Sequence, residues 1–470
     1  MAKTIFNSSE KSNFILNMTE EKYSSIASKA LAVMCFAVSV FAIPAECIES
    51  VGFPIVSGGL AVAGVICLIL ALIAVMKKFV SKSMLIPVCA FGAMLLWGVI
   101  SLVNSYDTMI SFYGFDGRGE GLLAIIFYFG FFLTGLTIKN KKAISTLLNS
   151  IVAVGVLNAV WGLLQVFVPA MPSSYSYVIV AGQINSASGL AQSPVFLAMM
   201  LTMALTASVT GFVSAKSKTA KIIYLCCSCL FSFTMICTYT LVGVVGLAVA
   251  SLSAVACVFI TKASKANIAG IAGVILPAVL AVVLVNVGVI GDSGSFKLHD
   301  GPLFWTDSYQ RLSSSGIYNS EALDITSTSD VYYYLNERTV DIIKDYPLAG
   351  TGPENLVYPQ LYKSMVIYEN TGTFDKVYNE YLYTAGTRGI PSLIALLAVI
   401  VSLIIISAKK LKENSKTPQL VSAFLLLVAG TIIFFISCSN IAFSPIFWAV
   451  AGASCASLSE KSSAENKKKR

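Results

Sequence analysis

Histidine is almost missing from this chain: His299 is the only one. That excludes a histidine-built zinc centre and leaves few side chains able to act as a base near neutral pH. Charge is scarce as well. With 12% charged and 56% hydrophobic residues and a mean hydropathy of +0.79, 470 residues have too little polar surface to cover a soluble globule. The chain reads as an integral membrane protein. A signal-peptide pattern is also missing. The polar first 25 residues lack a short apolar core and a cleavage site, so the first hydrophobic run is expected to stay in the mature protein. The 11 cysteines make no metal pattern: nine lie inside apolar runs, and Cys226 and Cys229 have C-x-x-C spacing but no second pair.

What is abundant is apolar sequence in blocks of about 20 residues, the length that crosses the hydrocarbon. Twelve such runs lie near 28–45, 55–76, 84–104, 119–138, 144–168, 189–211, 220–238, 239–260, 267–290, 389–407, 418–437 and 442–458. Each must satisfy its own backbone hydrogen bonds in lipid, so helices are required. The tightest junction is MICTYTLVGVVG, where two helices meet with almost no loop. The expected fold is an all-α polytopic membrane protein of about twelve transmembrane helices. Its parts are a cytoplasmic tail (1–27), nine helices (28–290), a large and mainly helical extracytoplasmic loop (291–388), three helices (389–458) and a basic cytoplasmic tail (459–470). Gly246, Ala250 and Ala254 form a small-residue stripe expected to serve internal helix packing.

Orientation follows from the lysines. Alternate short loops read KKFVSK, KNKK, AKSKTAK, TKASK and KKLKENSK, and the tail ends in KKKR, whereas the intervening short loops hold one basic residue, Arg118. The positive-inside bias puts both termini and those lysines on the cytoplasmic side. The 24 inner basic residues then include one arginine, Arg470, while the outer eight include Arg118, Arg311, Arg338 and Arg388. Arginine's rigid fork suits bidentate contact with phosphate or carboxylate. Two readings stand: these arginines bind an anion such as a diphosphate, or they pair with the 13 acidic residues of the 291–388 block.

Inside that block, TSDVYYYLNERTVDIIKDY reads as an amphipathic helix with Ser329 as N-cap, Leu335, Thr339, Ile342 and Tyr346 on its packing face, and Arg338 beside Asp341. Pro347 ends it. LAGTGPENLVYPQLY then makes a Gly-rich turn and restarts a helix at Pro353, offering backbone N–H groups to an anion or serving as a plain structural turn. FDKVYNEYLYTAGTRG forms a short helix with Asp375 near its start, Phe374, Val377 and Tyr381 as packing residues and Gly386 as its stop. It brings Tyr378, Asn379, Glu380 and Arg388 close to the bilayer. A second polar element, SYDTMISFYGFDGRGEG, places Arg118 and Glu120 at the membrane boundary, where each charge needs a partner or a ligand. The uncharged loop 169–193 is a candidate cover for the cleft.

The helix plan, GRGEGLL, SGLAQSPVFLAMML and above all DIIKDYPLAGTGPENL followed by DKVYNEYLYTAGTRGIPSLIALL resemble the bacterial O-antigen ligase and polymerase family, most specifically over residues 337–396. The resemblance implies inverting glycosyl transfer, without metal or other cofactor, on the outer face of the cytoplasmic membrane. The donor would be a glycan on polyprenyl (undecaprenyl) diphosphate and the acceptor a sugar hydroxyl of a glycan or glycolipid, with membrane lipids as surroundings and no nucleic acid. It implies catalytic roles for Glu380, Tyr378 and Arg338, and substrate binding by Arg118, Arg388, Arg311, Asn379 and Glu120. Tyr378 stands where the family commonly has histidine, Asp330, Val331 and Tyr332 where it often has Ser-Gly-Arg, and Leu241 where it often has arginine. The acceptor base must then be Glu380, Asp375, Glu120 or a returning His299, with Tyr378 orienting the hydroxyl. Two other classes remain open: a glycolipid transporter or flippase, and a non-catalytic glycan-assembly partner.

Overall fold

The computed structural model describes residues 18–40, 55–114, 119–168, 186–191, 193–238, 240–264, 270–286, 328–359, 376–414 and 417–456. Among these residues the protein is all-helical, 80% helix with no strand. In chain order the helices are α1 (Glu20–Val40), α2 (Ile55–Met76), α3 (Leu85–Val103), α4 (Thr108–Tyr113), α5 (Leu122–Leu136), α6 (Lys141–Phe167) and α7 (Pro194–Ser214). There follow α8 (Lys218–Ile236), α9 (Leu241–Thr261), α10 (Ala272–Asn286), α11 (Thr328–Asp345), α12 (Glu380–Glu413), α13 (Pro418–Ile433) and α14 (Ser444–Ser454). A helix stands in every apolar run. Among the described residues, seven segments are long and apolar enough to cross a membrane: Gly58–Met76, Lys82–Val103, Lys141–Phe167, Pro194–Ser214, Lys218–Ile236, Leu241–Thr261 and Glu380–Glu413.

Some helices are shorter than their runs. α5 has 15 residues, α13 has 16 and α14 has 11, so the runs 119–138, 418–437 and 442–458 are not helical throughout. The reason is polar chemistry at one end of the bundle. Residues 434–443 form turns whose backbone groups bond to the start of α12 instead of continuing a helix.

α7 is the axis of the core, with 78% of its most apolar window buried. It packs on α6, α8, α9 and α13, while α14, buried along its whole length, packs on α5. Small residues permit these approaches. A Cβ on Gly452 would lie 2.4 Å from the Phe132 carbonyl, and one on Gly246 would lie 2.1 Å from Thr202 Oγ1, so the Gly246–Ala250–Ala254 stripe faces α7 inside the protein. The tight junction is as expected: α8 ends at Ile236 and α9 begins at Leu241, capped by Thr240 Oγ1 on the Gly243 amide at 3.1 Å.

α12 is the element that joins bundle to site. It bends at Gly389, whose φ of 81° and ψ of 166° are open to glycine alone at little cost. A Cβ there would lie 2.0 Å from the Leu348 carbonyl oxygen, and the next amide, Ile390 N, donates to Pro347 O at 2.8 Å. The stop is therefore Gly389, not Gly386, and Glu380–Arg388 stands as a short helix before the bend. At its other face Ser101 Oγ at the end of α3 donates to Thr387 O at 2.8 Å.

Candidate functional site

The site is built from the short helix at the head of α12. Asn379 caps it, its Oδ1 accepting from the amides of Tyr381 at 3.0 Å and Leu382 at 3.1 Å, so the helix begins at Glu380, later than FDKVYNEY suggested. Glu380 thereby occupies the first turn, where the helix dipole favours a carboxylate. Spacing of four residues then puts Glu380, Thr384 and Arg388 on one face. Arg388 Nη2 donates to Thr384 Oγ1 at 2.6 Å and to Glu380 Oε1 at 3.3 Å, and Thr384 Oγ1 donates to Glu380 Oε1 at 3.2 Å. Glu380 Oε2 accepts from the Ser439 amide at 2.7 Å, and the Glu380 amide itself donates to Phe434 O at 2.8 Å and Ser437 O at 3.0 Å. Glu380 and Arg388 are both buried. An isolated charge there would cost several kcal/mol (on the order of the buried-ion penalty), and this pairing offsets it.

A second charge centre adjoins the first. Lys376 is buried between two carboxylates: its Nζ donates to Glu120 Oε2, lies 3.5 Å from Glu354 Oε1 and donates to Ser439 O at 3.3 Å. The same ammonium stands 5.5 Å from the Tyr383 ring centroid and 5.8 Å from that of Phe196 at the head of α7. Tyr383 OH donates to Glu354 Oε1 at 2.5 Å. Since Ser439 contacts both centres, Glu120, Glu354, Lys376, Glu380, Tyr383, Thr384 and Arg388 form one network.

Glu354 reaches it through an unusual turn. Gly350, Gly352 and Glu354 have φ of 65°, 102° and 60°, so the helix does not restart at Pro353 as expected: residues 353–356 form a turn and helical backbone resumes at 357–359. Asn355 holds this turn, with Nδ2 on Ser111 Oγ at 2.6 Å and Pro353 O at 2.9 Å and Oδ1 accepting from the Asp107 amide at 2.7 Å. Asp107 in turn caps α4. The amides of the three residues 350–352 are turned to carbonyls of the protein. Gly350 N donates to Tyr346 O at 3.1 Å, Thr351 N to Gly386 O at 3.0 Å and Gly352 N to Thr387 O at 2.8 Å. The Thr351 amide thus satisfies the Gly386 carbonyl, freed by the bend at Gly389, and the Gly352 amide joins Ser101 Oγ on the Thr387 carbonyl.

Of the residues picked from the sequence, the structure brings Glu120, Asn379, Glu380 and Arg388 together, with Tyr378 half-buried just before the cap. Arg338 lies on the adjoining α11, its Nη1 4.0 Å from Asp341 Oδ2. Arg118, Arg311, His299 and Asp375 lie outside what is described, and α11 already includes Thr328, so Ser329 stands inside the helix and not at its N-cap. Both described arginines, Arg338 and Arg388, thus stand beside carboxylates. On α11, Leu335, Thr339 and Ile342 are buried as expected, but Tyr346, one residue past the helix end, is 36% exposed. Lys376 and Glu354 were missed as site residues. The available signal was that Lys376 is the one basic residue between Lys363 and Arg388, inside the most family-like segment. Among the described residues no group of three or more His, Cys, Asp or Glu side chains could hold a metal ion.

No protein-family model matches this chain, and no curated protein matches it.

Proposed function

We propose that this chain is a membrane glycosyltransferase of the O-antigen ligase and polymerase type. In this reading it has twelve crossings, both termini cytoplasmic and the 291–388 block outside. The acceptor's hydroxyl oxygen attacks the anomeric carbon of a glycan held on polyprenyl diphosphate. The bond from that carbon to the diphosphate oxygen breaks with inversion, and the hydroxyl proton passes to a carboxylate, Glu380 by its position in the DKVYNEY segment. Outer arginines, Arg338 among the described ones, take up the charge of the departing diphosphate.

One observation carries the reading: three polar segments far apart in sequence, which the family resemblance also singles out, supply Glu120, Glu354, Lys376, Glu380 and Arg388 to a single buried network at the end of an apolar bundle. Ionisable groups buried at such a boundary are costly and are retained where function uses them. A second reading, a glycan-assembly partner without turnover, draws support from the closure of Glu380 on Arg388, Thr384 and the Ser439 amide, and from Tyr378 in place of histidine.

Purified protein in proteoliposomes, given a polyprenyl-diphosphate oligosaccharide and an acceptor glycan, is expected to form the joined glycan. Glu380→Gln should slow transfer at least about tenfold with the chain still folded. Donor binding without transfer by the parent protein would overturn the enzymatic reading in favour of the assembly partner. Transmembrane flux of intact donor would favour a flippase.

A further inference from the structure

Three tyrosines from three separate segments meet beside the network. Tyr106 follows the end of α3, Tyr346 follows the end of α11, and Tyr358 lies in the helical stretch 357–359 that follows the turn carrying Glu354. Tyr106 and Tyr358 stack, with ring centroids 5.7 Å apart and planes 15° from parallel, and Tyr346 meets Tyr106 edge-on at 6.1 Å and 72°. The hydroxyls of Tyr106 and Tyr346 share a hydrogen bond of 2.5 Å, and Tyr358 OH donates to Asp107 Oδ2 at 3.4 Å. Burial, then the shared hydroxyl, pushes the Tyr106 phenol up to about 12. Yet Tyr106 is 53% exposed. With Tyr358 stacked on it and Tyr346 set against it at a steep angle, Tyr106 still leaves about half of its surface open.

Tyrosines that anchor a helix at the membrane interface sit with their amphipathic rings at the headgroup level. Here the rings are held by contacts across some 240 to 250 positions of chain, and their hydroxyls point to one another and to Asp107. A flat aromatic face with hydroxyl and carboxylate groups at its rim offers a hydrophobic patch for the C–H face of a ring and hydrogen bonds for its substituents. Pyranose sugars present that combination. One turn ties this ledge to the charge network, since Glu354 enters the network from it and Tyr358, four residues on, joins the ledge.

We infer that Tyr106, Tyr346 and Tyr358 form a sugar-binding ledge that seats a glycan unit next to the buried network. The assignment rests on the glycan-handling reading above and names where that glycan lies. The ledge binds the sugar through ring stacking, so the ring matters more than any one hydroxyl.

The test uses the full-length protein in nanodiscs and, as probe, water-soluble oligosaccharide released from the host's own lipid-linked pool, followed by saturation-transfer NMR. The parent protein should bind, Tyr106→Ala should bind at least about tenfold more weakly, and Tyr106→Phe should stay within a few-fold of the parent. Tyr106 is exposed enough for the alanine variant to fold, and Tyr106→Phe controls for the fold. Equal binding by the parent and Tyr106→Ala would overturn the ledge, as would no binding by the parent. A change confined to the depth of the protein in the nanodisc would mean a membrane anchor and would overturn it too. Oligosaccharide binding lost with Tyr106, in a protein that never transfers glycan, would uphold the ledge while removing the transferase reading.

Discussion

Replacing Lys376 by methionine keeps most of its length and removes its charge. In the native protein this side chain is 8% exposed and faces Glu120 and Glu354, whose side chains are 5% and 1% exposed. The substitution strands two carboxylates in a buried space and removes the donor to Ser439 O. Breaking a buried pair in this way costs about 3–5 kcal/mol, because the remaining charge loses its partner and cannot reach water. The unfolding midpoint in detergent should fall by several degrees. Protonation of the stranded carboxylates removes the buried charge, so the deficit should shrink as the pH falls toward 4 (about the ordinary carboxylate range). Combining Lys376→Met with Glu120→Gln and Glu354→Gln should recover most of the loss, since no unpaired ion then remains. The measurement is fluorescence-detected thermal unfolding of the parent, the single variant and the triple variant across pH. A Lys376→Met protein that melts with the parent at neutral pH, or a triple variant worse than the single one, would refute the ion-pair reasoning.

Gly389→Ala should be among the most damaging small substitutions, because φ of 81° disfavours any side chain and the new Cβ would meet the Leu348 carbonyl at 2.0 Å. A loss above about 3 kcal/mol is expected, read as loss of a monodisperse peak in size-exclusion chromatography; a parent-like peak and melting curve would contradict it. Asn379→Ala should cost about 1 kcal/mol through the lost cap, and Asn379→Asp should restore it. Should the aspartate variant regain the melting temperature and not donor binding, the amide nitrogen contacts the substrate. Equal stability of the alanine variant would remove the capping role.

The helical runs were legible because lipid forces each crossing segment to close its own hydrogen bonds, which writes itself as uninterrupted apolar sequence. α11 was legible through Leu335, Thr339 and Ile342 at helical spacing, all of them buried. The expectation failed at Tyr346, since a periodicity argument does not see that the helix ends one residue earlier. Gly386 was chosen over Gly389 as a stop because local rules rank the first glycine. What decides the matter is the Leu348 carbonyl, 41 positions earlier, which lies where only Gly389 fits. Glu380, Asn379, Glu120 and Arg388 were found because their segments look like a known family. Lys376 and Glu354 were not, because Lys376 meets Glu120 from 256 positions away and Glu354 from another segment, which leaves no local pattern. The GTG turn misled for the same reason, its amides being spent on the carbonyls of Gly386 and Thr387.

The proposal that this bundle joins glycans is tested most directly by the fate of the lipid carrier. Purified protein in vesicles is given a donor labelled in its polyprenyl diphosphate, and free polyprenyl diphosphate is counted against glycan bonds formed. The account predicts one carrier released for each bond, with release lost in Glu380→Gln. A carrier that stays attached to its glycan throughout, in a folded and donor-saturated protein, would contradict it.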